Sequence, residues 1–216
     1  MKNYLIAGNG VAAAGCIEGI RSIDKEGLIT VVSEEKHDVY CRPLISYYLE
    51  EKTDLAHMRY RDPSFYERMG CTVIYGKKAQ DLDPEKQVLT LDDGTQLDYD
   101  SLCIATGSAP FVPPFKGLDS VPEKYSFLTL DDALALEKAV TASSRVLIIG
   151  AGLIGLKCAE GLKNRSGKIT VCDLADRVLS SILDTECAFI MQKHLEENGI
   201  SFLLSDSVAQ IGRAHV

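Results

Sequence analysis

Tyr4-Leu5-Ile6-Ala7-Gly8-Asn9-Gly10-Val11-Ala12-Ala13 opens the chain, and Val146-Leu147-Ile148-Ile149-Gly150-Ala151-Gly152-Leu153-Ile154-Gly155 repeats its pattern further on. The likeness continues at the same offset, where Cys16-Ile17-Glu18-Gly19-Ile20-Arg21 answers Cys158-Ala159-Glu160-Gly161-Leu162-Lys163. Ile29-Thr30-Val31 then answers Ile169-Thr170-Val171, two residues short of that register. Each copy reads as an apolar strand, a glycine-rich turn, a helix of small residues and a second apolar strand ending in acid. That is the pattern of a dinucleotide-binding βαβ unit. Two units imply two dinucleotides, with electrons passing from one to the other.

The residue types follow from the chemistry of the turn. Gly8 and Gly150 allow the tight exit from the strand. Gly10 and Gly152 lack a Cβ, so a pyrophosphate can approach the backbone. Ala13 and Gly155 keep helix and strand close. Phosphates then meet the free N–H groups of the helix start, where the dipole favours anions. The predicted fold class is α/β, with two Rossmann-like three-layer dinucleotide-binding domains.

The acids bear on the sugars. The first unit ends in Ser33-Glu34-Glu35 and the second in Asp173. A carboxylate here accepts from ribose hydroxyls and repels a 2′-phosphate, so NADH is preferred over NADPH at the second site. Arg177, four residues beyond Asp173, is read either as softening that preference or as a solvated surface charge.

Composition narrows the class. The 216 residues are 46% apolar and carry a net charge of −8. That suffices for one large or two small cores, and it argues against broad binding to nucleic acid or anionic membranes. No run approaches the roughly 18 apolar residues of a spanning helix, and the first strand starts within three residues, which leaves no room for a signal peptide. A cytoplasmic location is expected. The seven cysteines are odd in number and lack a C-x-x-C pair. They read as compact hydrophobes rather than a disulfide framework. The four histidines are scattered without ligand spacing, and no metal site is expected.

Along the chain, helices are predicted at about 11–24, 43–50, 62–70, 131–140 and 184–198. Short strands are predicted at 71–75, 79–82, 87–91, 96–99, 102–105 and 200–204. Pro110, Pro113, Pro114 and Pro122 mark a crossing between domains.

The segment Leu97-Asp98-Tyr99-Asp100-Ser101-Leu102-Cys103-Ile104-Ala105-Thr106-Gly107-Ser108-Ala109-Pro110 resembles the end of the first flavin-domain segment in two-dinucleotide flavoproteins. With both glycine turns in order, the chain resembles the pyridine-nucleotide–disulfide oxidoreductase superfamily from Tyr4 to about Leu204. Val39-Tyr40-Cys41-Arg42-Pro43-Leu44-Ile45-Ser46-Tyr47-Tyr48-Leu49 lacks the redox cysteine pair of the disulfide reductases, and Cys41 is two residues out of register for the single-cysteine peroxidases and oxidases. Arg42-Pro43 followed by Leu-Ile-Ser is instead similar to the rubredoxin and ferredoxin reductases, the flavin portion of NADH-dependent nitrite reductases, and apoptosis-inducing factor.

The resemblance implies FAD at Gly8, Gly10, Val11, Ala12, Ala13, Glu34, Glu35, Arg42, Pro43, Ala79, Ala105, Thr106 and Gly107. In this pattern Arg42 pairs with the pyrophosphate and Glu34 with the adenosine ribose. NADH would use Gly150, Gly152, Leu153, Ile154, Gly155 and Asp173. The implied acceptor is rubredoxin, a ferredoxin or another iron–sulfur protein, and a homodimer is one expectation for the full-length form. No protein nucleophile is needed, because the cofactors carry the chemistry. Many relatives have lysine at the place of Tyr47 and glutamate at the place of Lys157. Lys157 is read either as tuning the flavin or as packing its stem along the helix.

The implied organisation is an FAD-binding first segment at 1–110, a crossover and helix at 111–144 and an incomplete NAD(H)-binding domain at 145–210. Residues 211–216 match the translation of a common sequencing adapter and are expected to be a non-native tail. Two other readings of function stand beside the enzyme: an inactive fragment, and a slow-turnover flavoprotein of binding or signalling type.

Overall fold

The computed structural model describes residues 1–211. His215 and the rest of the expected tail beyond Ile211 lie outside the described residues. In chain order the first elements are β1 (Asn3–Ala7), α1 (Val11–Ile23), β2 (Leu28–Ser33), α2 (Ile45–Leu49), α3 (Phe65–Arg68) and β3 (Cys71–Tyr75). Next come β4 (Ala79–Asp83), β5 (Val88–Leu91), β6 (Gln96–Asp98), β7 (Ser101–Ile104) and α4 (Leu130–Ala139). The last are β8 (Arg145–Ile149), α5 (Leu153–Leu162), β9 (Lys168–Asp173), α6 (Thr185–Glu197) and β10 (Ile200–Leu204).

These elements form two compact units. The first comprises Met1–Cys41 and Leu55–Ser108, and the second comprises Arg42–Asp54 and the chain from Ala109 onward. The units do not follow chain order, because residues 42–54 fall within the first 110 yet cluster with the second unit. Local contacts within that unit explain the grouping. A Cβ built on Gly161 of α5 would lie 3.2 Å from the Cβ of Leu49 and from the Ser46 carbonyl oxygen. Arg165 Nε donates to the Leu49 carbonyl at 2.5 Å, and Tyr48 Oη donates to Glu137 on α4 at 2.9 Å.

The first unit has three layers. Its parallel sheet has the order β3-β2-β1-β7, and β4-β5-β6 form a separate antiparallel sheet. Alternation along β1 supplies both faces. Ile6 packs with Ala13, Ala14 and Ile17 of α1, together with Phe65 and Val39. Leu5 and Ala7 pack on the other side with Leu89 and Leu91 of β5. Small residues on α1 let the helix lie close to the strands.

The second unit holds a parallel sheet of order β10-β9-β8. Its core includes Leu156, Ala159 and Leu162 of α5 and Ile169 and Val171 of β9. Helix α4 starts with a reciprocal capping box, in which Thr129 accepts from Asp132 N–H and Asp132 accepts from Thr129 N–H. At α6, Asp184 accepts from Cys187 N–H and Gly199, at φ +85°, follows the helix end.

One helix is shorter than the sequence suggests. In place of a helix over 62–70 there is the single turn Phe65–Arg68. Asp62 Oδ1 accepts from both the N–H and the hydroxyl of Ser64, and Phe65 N–H bonds to the Asp62 carbonyl. This tight local turn uses the residues that a longer helix would have recruited.

Candidate functional site

The two glycine turns have nearly the same backbone. Gly8 has φ +108° and Gly150 φ +112°. Their N–H groups donate to Val32 and Cys172 carbonyls, both at 2.8 Å. Gly10 and Gly152 are the N-caps of α1 and α5, with extended backbone and no side-chain cap. Intrahelical bonding begins with Ala14 N–H to Gly10 O and Leu156 N–H to Gly152 O. The preceding N–H groups, at Val11, Ala12 and Ala13 and at Leu153, Ile154 and Gly155, therefore have no intrahelical acceptor. A Cβ on Gly10 or on Gly152 would meet nothing within 4 Å. Each helix start thus faces open space with converging donors, which fits a dinucleotide pyrophosphate.

The flanking glycines are fixed by their surroundings. A Cβ on Gly8 would lie 2.1 Å from the Ala105 carbonyl oxygen, and one on Gly155 would lie 2.0 Å from that of Gly150. Ala105 N–H donates to Ala7 O at 2.7 Å, which lays Ala105-Thr106-Gly107 beside the first turn. Thr106 and Gly107 are exposed there, with Gly107 at φ +74°.

The acids are not equivalent, although both units end in acid in the sequence. Strand pairing matches Ala7 to Val32 and Ile149 to Cys172, so Asp173 corresponds to Ser33 and Glu34 to Leu174. Ser33 is buried and its hydroxyl donates to the Glu35 carbonyl at 2.7 Å. Glu34 projects into solvent 3.5 Å from Lys78 Nζ, next to Ala79 at the start of β4. The Glu35 carboxylate accepts from Tyr40 Oη at 2.7 Å. Asp173 instead accepts from Ala151 N–H at 2.6 Å and Ala175 N–H at 2.8 Å. Its carboxylate braces the second turn. Arg177 bonds Asp176 at 2.9 Å and the Ser180 carbonyl at 3.4 Å.

The structure brings the first turn, Glu34, Glu35, Ala79 and Ala105–Gly107 together in one unit. Arg42 and Pro43 belong to the other. There, Arg42 Nη1 donates to the Leu128 carbonyl at 3.2 Å. Lys157 is held at the junction of α2 and α5. Its Nζ lies 4.6 Å from the centre of the Tyr47 ring and 2.5 Å from Glu160, which is held below the usual carboxylate range by that ammonium. Lys52 Nζ approaches the same ring at 5.7 Å and pairs with Glu50 at 2.5 Å. These contacts form a charged brace around an aromatic ring, a feature the sequence does not announce.

All seven cysteines are free thiols. Burial pushes Cys158 up to about 12. Burial and the neighbouring Cys103 thiol push Cys16 up to about 11. Burial also raises Cys71 and Cys172. A groove of about 530 Å³ between α1 and α3 is lined by Glu18, Arg21, Ser22, Lys25, Glu67, Arg68, Met69 and Gly70. Two of its charges are engaged, Arg21 with the Met69 and Gly70 carbonyls and Glu18 with Arg61. No helix among the described residues is long and apolar enough to cross a membrane.

Known proteins are similar to this chain. The chain is 33% identical over 211 residues to the epsilon subunit of the NADH-dependent phenylglyoxylate dehydrogenase of Aromatoleum evansii, covering 96% of this chain and 49% of that protein. It is 31% identical over 214 residues to the assimilatory nitrate reductase electron transfer subunit of Bacillus subtilis (strain 168), covering 99% of this chain and 28% of that one. The structure is similar to a ferredoxin reductase for the CYP199A2 system from Rhodopseudomonas palustris. That match has a TM-score of 0.87 and 26% identity, and it covers 99% of this chain and 52% of the other. The chain therefore spans between 28% and 52% of the length of these relatives. Residues 2–216 match the pyridine nucleotide-disulphide oxidoreductase family, and the chain belongs to it.

Proposed function

We propose that the chain forms the dinucleotide-binding part of an NADH-dependent FAD flavoprotein that delivers electrons to a one-electron acceptor such as a ferredoxin, rubredoxin or another iron–sulfur protein. The observation that carries this reading is the pair of open, uncapped helix starts at Gly10 and Gly152, each behind a positive-φ glycine. The first cradle, with Glu34, Glu35, Ala79, Ala105, Thr106 and Gly107, would hold FAD. The second cradle, with Leu153, Ile154, Gly155 and Asp173, would hold NADH. Bound FAD supplies a centre that takes a hydride and releases electrons singly.

The chain's own residues bind and orient. The free N–H groups of α1 and α5 neutralise pyrophosphate charge, and the Asp173 carboxylate disfavours a 2′-phosphate. The Val39–Leu49 segment lacks a redox cysteine pair, which supports electron transfer over disulfide chemistry. The names of the relatives, NADH-dependent, electron transfer subunit and ferredoxin reductase, support the same class. A cytoplasmic location is part of this reading.

The test is reconstitution of the full chain with FAD. It should acquire a flavin spectrum that NADH bleaches faster than NADPH, and a one-electron dye should restore it. A chain that takes up no FAD refutes the reading. Preferential bleaching by NADPH refutes the assignment of the second cradle.

A further inference from the structure

The residue between the two close glycines of the first turn is Asn9, and both ends of its side-chain amide are hydrogen-bonded. Asn9 Nδ2 donates to the His37 carbonyl at 3.3 Å. Its Oδ1 accepts from Tyr66 Oη at 2.7 Å. The same phenol oxygen accepts from Val39 N–H at 3.1 Å. The contacts close a ring: glycine turn, Asn9, His37, Val39, Tyr66 and back to Asn9. Its polarity is fixed, because the His37 carbonyl can only accept and so sets the orientation of the amide. Val39 N–H takes one acceptor position on the phenol, leaving its O–H to point at Asn9.

Tyr66 is anchored for this task. It packs against the core cluster of Ile6, Ala13 and Ile17, and its ring meets Phe65 edge-on at 5.2 Å between centroids. Burial raises its hydroxyl pKa above the ordinary value, so the donor stays protonated across the physiological range. The second turn has nothing comparable. Ala151 stands in the place of Asn9, and its N–H is held by Asp173.

We propose that Tyr66 is a positioning residue for the first cradle, acting through Asn9 to fix the spacing between the glycine turn and the Glu34-Glu35 segment. This rests on reading the first cradle as the FAD site. An adenosine diphosphate moiety spans that spacing, with phosphates at the turn and ribose at the acid. A preorganised spacing spares the ordering cost of binding.

The experiment uses the full chain with Tyr66→Phe, Asn9→Ala and the double variant. Kd is measured for FAD, for ADP as the minimal probe and for NADH. Tyr66→Phe should weaken FAD and ADP by about tenfold, the size of one hydrogen bond that leaves its partner buried and unpaired. NADH affinity should stay within about twofold, a change too small to represent a lost hydrogen bond. The double variant should bind FAD no more weakly than Asn9→Ala alone, a coupling that mere loss of folding stability would not produce.

Amide hydrogen exchange over residues 8–12 of the ligand-free chain gives a second readout, and Tyr66→Phe should speed it. Unchanged FAD affinity in Tyr66→Phe, or effects that multiply in the double variant, would overturn the proposal. If the unsubstituted chain bound neither FAD nor ADP, the reading of the cradle would fail. Exchange alone would then decide for or against the tether. Asn9→Ala leaves the packing of α3 intact and keeps the test available if Tyr66→Phe folds poorly.

Discussion

Gly152 and Gly155 lie three residues apart in one turn, yet they should respond oppositely to the same substitution. At Gly155 the new Cβ would come 2.0 Å from the Gly150 carbonyl oxygen, a backbone atom. Real Cβ contacts stop near 3 Å, so α5 must move by about 1 Å against a packed sheet. Overpacking of that kind costs roughly 1–3 kcal/mol. Gly155→Ala should therefore lower Tm. At Gly152 the new Cβ meets nothing within 4 Å, and φ is −78°, which any residue adopts. Gly152→Ala should cost stability no more than about 1 kcal/mol, the gap between glycine and alanine at an N-cap. Its methyl would stand where the pyrophosphate approaches the N–H groups. Losing two charge-assisted hydrogen bonds there is worth about 3 kcal/mol, or roughly a hundredfold in Kd for NADH. Calorimetric Tm and NADH titration of the two variants form the assay. If Gly152→Ala binds NADH as tightly as the unsubstituted chain, the open space over α5 is not the phosphate cradle.

Other consequences are simpler to read. Thr129→Ala should cost about 1 kcal/mol by opening the capping box of α4, and thermal unfolding would show it. Asp132 is raised by burial but lowered more by hydrogen bonds from Thr129, Leu128 and Ser126, so its folded pKa lies below the ordinary value. Its stabilisation is thus present above about pH 4 and lost as pH falls through the folded value, and Asp132→Asn should flatten Tm against pH in that acid range. Lys157→Met should let the Glu160 carboxyl rise towards its ordinary pKa, and an NMR titration showing no rise would contradict the contact. Iodoacetamide at mildly alkaline pH should label the exposed Cys187 while sparing Cys158, whose thiol is buried and pushed up to about 12.

Much of this was legible in the sequence because it is local. The βαβ pattern needs only period-two and period-3.6 apolarity around a glycine turn, and α1, expected at about 11–24, runs from Val11 to Ile23. What the sequence hides is register and distant contact. Glu34 and Asp173 both follow an apolar strand, yet the pairing places Ser33, not Glu34, opposite the role of Asp173. Gly19 and Gly161 occupy the same place in the repeat for different reasons. A Cβ at Gly19 would meet nothing, whereas one at Gly161 would press on Leu49 and Ser46. Tyr66 carries no local signal, because its partners Asn9 and Val39 are distant in the chain.

The two turns share a backbone but are held by different chemistry, and the difference bears on how each treats its ligand. The first is tied by a neutral amide and a phenol to a packed segment, with the buried Ser33 hydroxyl at the strand position that Asp173 fills in the second. The second is tied by the charged Asp173, which bonds the Ala151 N–H immediately before Gly152. That anion sits beside a cradle built for another anion, so it opposes the pyrophosphate even while it disfavours a 2′-phosphate. A turn held by a neutral tether suits a dinucleotide that stays bound. A cradle braced by its own carboxylate suits one that must leave after each turnover. The proposed sorting of FAD to the first turn and NADH to the second would then rest on side chains rather than on chain order.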